Sequence, residues 1–486
     1  MDRKAKIVAT LGPSSRDENV FTSMVKAGLN VARLNFSHGT YDEHLTAIQM
    51  IRKISLETGK SIAILQDLQG PKVRIGEIPG DSIELTAGQK LDVYFAQSLD
   101  KVQPYSQSKN QWIYIPIPDL LSQLKAGMKI LLDDGNIEFS LIEVLTDRVT
   151  VEVTLGGMLS SHKGFNLPGV PLNIPGFTDK DRADLHFGLD NGVDIVAVSF
   201  VRTVADIETV RNEIKRYAPQ KANTPIIAKL ERPEALENLT SIIKSADGVM
   251  VARGDLGVEL SPATVPIAQK RIIREANIHA KPVITATQML DSMIHNPRPT
   301  RAEATDIANA IFDGTDAVML SGETASGSYP VESIKVMDSI VREAELNYAD
   351  WTLCSDLPEM DSTEDAVAMT RAARELAHDR NVASIAVFTH SGRTALLMSK
   401  AKPAVAILAF TPLESTYHKM ALYRGVTPYM VPFASTVETM IKIVDEAIIR
   451  SAPEQNEQQV VLISGFPVDK MRQPNFALLH TVGKSD

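Results

Sequence analysis

The sequence predicts an α/β protein built on a (β/α)8 TIM barrel, with an inserted all-β barrel domain and a C-terminal α/β domain. Three observations carry that prediction. Eight short, β-branched apolar runs alternate with helix-like segments between residues 6 and 323. Each run turns polar where a strand should stop, the pattern of parallel strands covered by helices on both faces. The alternation breaks once, over residues 71–168, where only short β-like runs separated by Gly, Pro, Asn and Asp occur. A doubly wound open sheet is the runner-up, because it also gathers ligands at strand ends.

At 486 residues the chain exceeds one compact domain. A formal net charge of -10, with basic residues unclustered, argues against nucleic-acid or anionic-membrane partners. The single cysteine, Cys354, excludes an intrachain disulfide and fits a reducing compartment. The N-terminus lacks the apolar core of a secretory signal, and no run reaches the ~20 apolar residues that span a bilayer. A cytoplasmic location is the expectation.

In order, KIVAT (6–10) reads as the first strand, and ENVFTSMVKA as an amphipathic helix stopped at Gly28. VARLNF then ends on a polar group of Arg33, Asn35, Ser37 and His38. A helix over 43–59 leads to IAILQDL, which ends at Asp67. After the all-β insertion, KDRADLHFGLDNG reads as a helix and VDIVAVSF as the fourth strand, closing near Arg202. PIIAKLE, GVMVARGD, PVITATQ and AVMLSGE complete the eight, and PVESIKVMDSIVREAEL closes the barrel. Residues 353–365 look like a linker, and SIAVFT, VAILAFT, QQVVLISGF and FALLHTVG are strands of a further α/β domain. The expected domains are therefore 1–70 with 169–347, the insertion 71–168, and 348–486.

In a (β/α)8 barrel the active site lies at the carboxyl ends of the strands. Strand alternation puts Lys229 and Glu231 on one side of their strand, toward the mouth. Glu231 and Asp255, on adjacent strands, suit a hard divalent cation, Mg2+ or Mn2+, shared with a substrate phosphate. No Cys/His set offers zinc. Arg33 and Arg202 nearby point to a phosphorylated anion, and a metal with surrounding cations is what phosphoryl transfer needs. The plain reading is a buried structural Lys–carboxylate cluster; repetition on successive strands favours the functional one. Thr287 alone reads as easily as a helix cap, and Ser321 to Glu323 as a turn. Ser391, Gly392 and Arg393, between a strand and a helix start, form either an anion nest or an ordinary capped turn.

KIVATLGPSS, ARLNFSHG, LQDLQGPKVRIG, DDG (133–135), KDRADLHFG, VSFVR, IIAKLERPEAL, DGVMVARGDLGVEL, KPVITATQML, RPTRAEATDIANAIFDGTDAVMLSGETASG and YPVESI resemble the motifs of the pyruvate kinase family. The resemblance spans the barrel and, more thinly, the last domain. It implies phosphoryl transfer from phosphoenolpyruvate to ADP, giving pyruvate and ATP, in a homotetramer whose insertion is a mobile lid. By resemblance Glu231 and Asp255 hold Mg2+, Lys229 neutralises the moving phosphoryl group, and Arg33 grips the phosphate. Gly254 and Asp255 contribute to the substrate site, and Thr287, with Ser321 and Glu323, delivers the proton to the enolate carbon. ADP is expected near Asn35, His38, Arg74 and Lys180. Many members use K+ bound by residues matching Asn35, Ser37, Asp67 and the carbonyl of residue 68, and carry glutamate where this chain has Lys72. The tethered ammonium of Lys72 is expected to replace K+. Thr389, Ser391, Gly392, Arg393 and Thr394 match a loop that binds an effector phosphate in allosteric members. The segment after Gly465 departs from the family's glycine- and threonine-rich loop, which leaves the effector's identity open. A Mg2+-dependent oxoacid lyase on the same barrel is the second functional reading, and a non-catalytic phosphometabolite-binding protein the third.

Overall fold

A computed structural model describes residues 3–98, 102, 111–168, 175–347, 364–470 and 472–484. Cys354 and the expected linker up to residue 363 lie outside the described residues.

Eight parallel strands close into a barrel: Lys6–Thr10, Val31–Asn35, Ala63–Asp67, Ile195–Val198, Ile226–Leu230, Gly248–Ala252, Val283–Ala286 and Ala317–Leu320. The last pairs with the first in the register Lys6↔Ala317 to Ala9↔Leu320. Nearly every strand residue is buried because both faces are covered, one by the barrel interior and one by helices. Val8, Val31, Leu65, Ile227, Met250 and Ile284 fill the interior. Ile7, Ala32, Ile64, Val249 and Val318, on the other face of the strands, pack against the helix layer. The helices start where short polar side chains satisfy their first N–H groups. Asp17 accepts from Asn19 and Val20, and Thr40 with Glu43 and Thr300 with Glu303 form capping boxes. Gly28, at φ 119°, ends the first helix in a conformation costly for a residue with Cβ.

The interruption after Gly70 is all-β. A six-stranded sheet and a two-stranded ladder surround a core that includes Val93, Ile113, Phe139 and Val151. The C-terminal domain is a five-stranded sheet in the order Val426–Met430, Ala406–Thr411, Ser384–Phe388, Gln459–Ser464, Phe476–Thr481, the last antiparallel. The strand Val426–Met430 and the helix Val437–Ser451 are additions to the elements expected from the sequence. Pro428 masks the strand, and it is tolerated because this strand pairs on one side only.

The C-terminal domain is pinned to the base of the barrel by buried polar contacts. Lys400 reaches Asp316 at 2.5 Å and Asn277 at 2.9 Å. Lys6, on the first strand, donates to the Val426 carbonyl at 2.7 Å. Burial, with Arg3 and Arg424 adding repulsion, lowers the Lys6 pKa to about 7, well below the ~10.4 of an unfolded lysine. Between those values the folded chain holds fewer protons than the unfolded one, so this group's penalty is full below pH 7 and relieved as pH rises. Lys6→Met should therefore raise the thermal midpoint by several degrees at pH 6.5 and by less at pH 9.5, a gap that calorimetric scans at both values would measure.

Candidate active site

Ile227 points into the barrel, so Lys229 and Glu231, two and four residues on, face the mouth. The Lys229 ammonium lies 2.9 Å from Glu231 Oε1 and 3.2 Å from Asp67 Oδ1, and donates to Ser199 Oγ at 2.7 Å. Ser199 in turn donates to the Leu68 carbonyl. On the other side of Asp67, Arg33 donates through Nε to Oδ2 at 2.7 Å, and through Nη1 to Thr10 Oγ1 at 2.8 Å. The result is one chain of contacts across the mouth, Thr10–Arg33–Asp67–Lys229–Glu231, drawn from strands one, two, three and five.

Burial opposes the charge on Lys229, yet the Asp67 and Glu231 carboxylates outweigh it and hold its pKa above the ordinary lysine value. Burial likewise opposes ionisation of Asp67, but Lys229 and Arg33 hold it below the usual carboxylate range. Glu231 differs. Burial pushes its pKa up, Lys229 opposes that, and the nearby Asp255 charge adds to the push. Its second oxygen accepts from the Phe200 N–H at 2.8 Å.

Asp255 does not close a strand. The sixth strand stops at Ala252, and Asp255 sits on the short helix Arg253–Glu259 that follows at once. Ser321 and Glu323 likewise fall after the eighth strand, with Glu323 on the single turn Gly322–Ala325. Short strands turning directly into helices still deliver these groups to the mouth. Thr287 has φ +69°, a strained value for a β-branched residue. Its Oγ1 accepts from Gly254 N–H at 2.8 Å, while Arg253 donates to its carbonyl at 2.7 Å. Glu323 accepts from Leu290 N–H at 2.9 Å and Ser321 N–H at 2.7 Å, and burial still leaves its pKa raised. The Ser321 hydroxyl is buried and has no hydrogen-bond partner among the described residues.

No group of three or more His, Cys, Asp or Glu able to hold a metal occurs among the described residues. A cation at Glu231 and Asp255 would draw its other ligands from substrate and water, as Mg2+ does. The pair fits such an ion: both donors are hard oxygens, and the Asp255 charge disfavours ionisation of Glu231.

Lys72 spans from the insertion to the mouth, 3.3 Å from Asp134 and 3.6 Å from Asp255. Among the described residues its ion pairs are with these two carboxylates, and none is with Asp67. Burial lowers the His38 pKa, and Arg74, Lys72 and Arg33 lower it further, so these four groups share one region. Arg74 donates to the His162 carbonyl at 3.0 Å. Asn35 Oδ1 accepts from Ser37 N–H at 3.2 Å. Lys180 is held by Asp184 at 2.6 Å and the Phe36 carbonyl at 2.7 Å, which places its ammonium on the loop after the second strand. Arg202 lines a cleft with Lys72, Phe165 and Arg232 between insertion and barrel.

Thr389, Ser391, Gly392, Arg393 and Thr394 form the turn that starts the helix Arg393–Lys400 in the C-terminal domain. Thr389 Oγ1 accepts from Gly392 N–H and Ser391 Oγ from Arg393 N–H, as in a capped turn. Ser199, Thr10 and the clamp formed by Asp67 are site features beyond those the sequence predicts. Their only sequence trace is a polar residue at the end of an apolar run.

Residues 2–334 match the family model "Pyruvate kinase, barrel domain", and residues 366–480 match "Pyruvate kinase, alpha/beta domain". A pyruvate kinase of Geobacillus stearothermophilus is 41% identical over 484 residues, covering 99% of this chain and 81% of that protein. One of Sporosarcina psychrophila is 39% identical over 485 residues, with the same coverage of 99% and 81%. The crystal structure of a pyruvate kinase from Cryptosporidium parvum superposes with a TM-score of 0.87 at 33% identity, covering 99% of this chain and 96% of that one.

Removing Asp67 would leave two buried cations without their shared counter-charge. Asp67→Ala should cost about 3–5 kcal/mol, read as a fall in the thermal unfolding midpoint, and Asp67→Asn distinctly less.

Proposed function

The chain belongs to the pyruvate kinase family and is a phosphotransferase, and from that premise we propose that it moves the phosphoryl group of phosphoenolpyruvate to ADP without requiring K+. The observation that carries this reading is the buried chain of contacts from Arg33 through Asp67 to Lys229 and Glu231.

Phosphoryl transfer asks little covalent chemistry of a protein and much positioning and charge stabilisation. Asp67 holds Arg33 and Lys229 in fixed places before substrate arrives, so their cationic edges meet the phosphate without reorganisation. Lys229 stays protonated across the physiological range and stabilises negative charge as it develops on the phosphoryl and enolate oxygens. Glu231 and Asp255 would hold Mg2+, which when bound supplies Lewis-acid charge stabilisation to the substrate oxygens. Thr287 stands beside Gly254 at the mouth and delivers the proton to the enolate carbon, through water ordered by the unspent Ser321 hydroxyl and by Glu323. ADP lies near Asn35, His38, Arg74 and Lys180, under the insertion, which excludes water when it closes.

Lys72 supplies the fixed positive charge that other members draw from K+. Its ammonium bridges the insertion and the metal-binding Asp255, a location that supports this role through charge rather than through the K+ ligand set. A phosphorylated effector at residues 389–394, a homotetramer and a cytoplasmic location complete the reading.

In a buffer free of K+ and NH4+, the chain should form pyruvate from phosphoenolpyruvate only when ADP and Mg2+ are present. Pyruvate without ADP would favour the lyase reading. Lys229→Ala should lower kcat by at least about 10^2–10^3-fold with the fold retained, the scale of losing one preorganised stabilising group. Lys72→Glu should make turnover depend on added KCl; equal rates with and without KCl would remove Lys72 from this role.

A further inference from the structure

The insertion joins the barrel through a neck of two chain crossings that hydrogen-bond to each other. Phe165 N–H donates to the Val73 carbonyl at 3.0 Å, and Ile75 N–H to the Lys163 carbonyl at 2.9 Å. Both crossings also fasten to one element of the barrel, the short helix Arg253–Glu259. On the outgoing crossing, Lys72 reaches Asp255 at 3.6 Å. On the returning one, Asn166 Nδ2 donates to Glu259 Oε1 at 2.9 Å. Asp255 and Glu259 are four residues apart, so one face of the helix carries both attachments. The turn 133–135 of the insertion lies over the same helix: a Cβ on Gly135 would come 3.8 Å from Val258 Cγ2. Asn166 also belongs to the insertion's own sheet, paired with Leu131, so a shift of that sheet is felt at the attachment.

Glu259 is where these contacts meet. Its side chain is 1% exposed, and the oxygen that accepts from Asn166 also accepts from Arg232 Nη1. Arg232 directly follows Glu231, and its own side chain is 9% exposed. The second Glu259 oxygen, Oε2, is enclosed and has no hydrogen-bond partner among the described residues. Burial pushes the Glu259 pKa up, Arg232 and the Asn166 hydrogen bond oppose this, and the Glu234 and Asp255 charges add to the push. A buried, incompletely satisfied carboxylate of this kind adds little net stability. What it does supply is register, because its two donors come from the insertion and from the end of the fifth strand.

We propose that Glu259 is a positioning residue for phosphoryl transfer: it locks the returning crossing of the insertion to the helix that carries Asp255, so that lid and metal-binding carboxylates are set in place together. The inference rests on the reading of Glu231 and Asp255 as the Mg2+ pair and of the insertion as a lid. Glu259 acts through its neighbours, through Asp255 one helical turn back and through Arg232 beside Glu231. Hydrogen bonds to an ionised acceptor are short and directional, so the contact admits one placement of the neck where apolar packing would admit several. The lid is thereby registered against the carboxylates themselves rather than against the barrel at large. Phosphoryl transfer needs that precision, since a misplacement of about 1 Å can cost about 10^2-fold in rate.

The test exchanges donor and acceptor across the contact in the full chain. Asn166→Asp sets two carboxylates against each other and should break it. Adding Glu259→Gln again puts an amide opposite a carboxylate, with Arg232 still beside a negative charge. Mn2+ binding is followed by electron paramagnetic resonance without substrate, and turnover by pyruvate formation at saturating Mg2+. Asn166→Asp should weaken Mn2+ binding at least threefold and lower kcat at least tenfold, while the KM for phosphoenolpyruvate changes less than threefold. The double variant should recover both to within threefold of the unaltered chain. The proposal is overturned if Asn166→Asp leaves Mn2+ binding and kcat as they were, or if the double variant is as impaired as the single one. A fall of many degrees in the thermal midpoint of Asn166→Asp would make the contact a structural one and would also sink it. Amide hydrogen exchange over residues 253–259 needs neither metal nor turnover: it should quicken in Asn166→Asp and slow again in the double variant, and unchanged exchange overturns the attachment. An unaltered chain that forms no pyruvate refutes the catalytic reading, a result scored separately from the exchange and Mn2+ measurements.

Discussion

One buried carboxylate organises the mouth of the barrel. Asp67 has a guanidinium on one oxygen and an ammonium on the other, and the three groups come from three different strands. A buried ion pair is a poor source of net stability, because desolvation consumes much of the attraction. What it supplies here is position and protonation state. Arg33 and Lys229 cannot swing away without leaving Asp67 uncompensated, and Lys229 cannot lose its proton while two carboxylates press on it. The barrel meets the cost of desolvation through its layered apolar interior and its helix packing.

The acidic side of the mouth follows the opposite logic. Burial, with the Asp255 charge beside it, holds Glu231 above its usual range, and Lys229 offsets only part of that push. A site with surplus cation on one flank and surplus carboxylate on the other is electrically unfinished. A phosphorylated anion together with a divalent cation completes both halves at once, which is why the two ligands belong to one reaction.

The barrel was legible because its strands are short, β-branched and apolar on both faces, and because Gly28 stops its first helix in a way that needs no tertiary context. The insertion showed itself as a loss of helical period. The strand Val426–Met430 did not, since Pro428 breaks the local pattern and only its edge position makes that acceptable. The placement of Asp255 was half legible. Its proximity to Glu231 follows from adjacent strands, but the abrupt passage from Ala252 into a helix depends on packing at the barrel rim.

The sequence by itself determined which residues stand at the strand ends, because alternation and strand length are local properties of the chain. It could not say that Asp67 would hold Arg33 and Lys229 together, or that Lys72 would reach Asp255. Those are contacts between residues as many as 183 positions apart (Lys72 to Asp255). Barrel closure and domain docking decide them, since the distance between two strand ends is set by the sheet that joins them rather than by either strand.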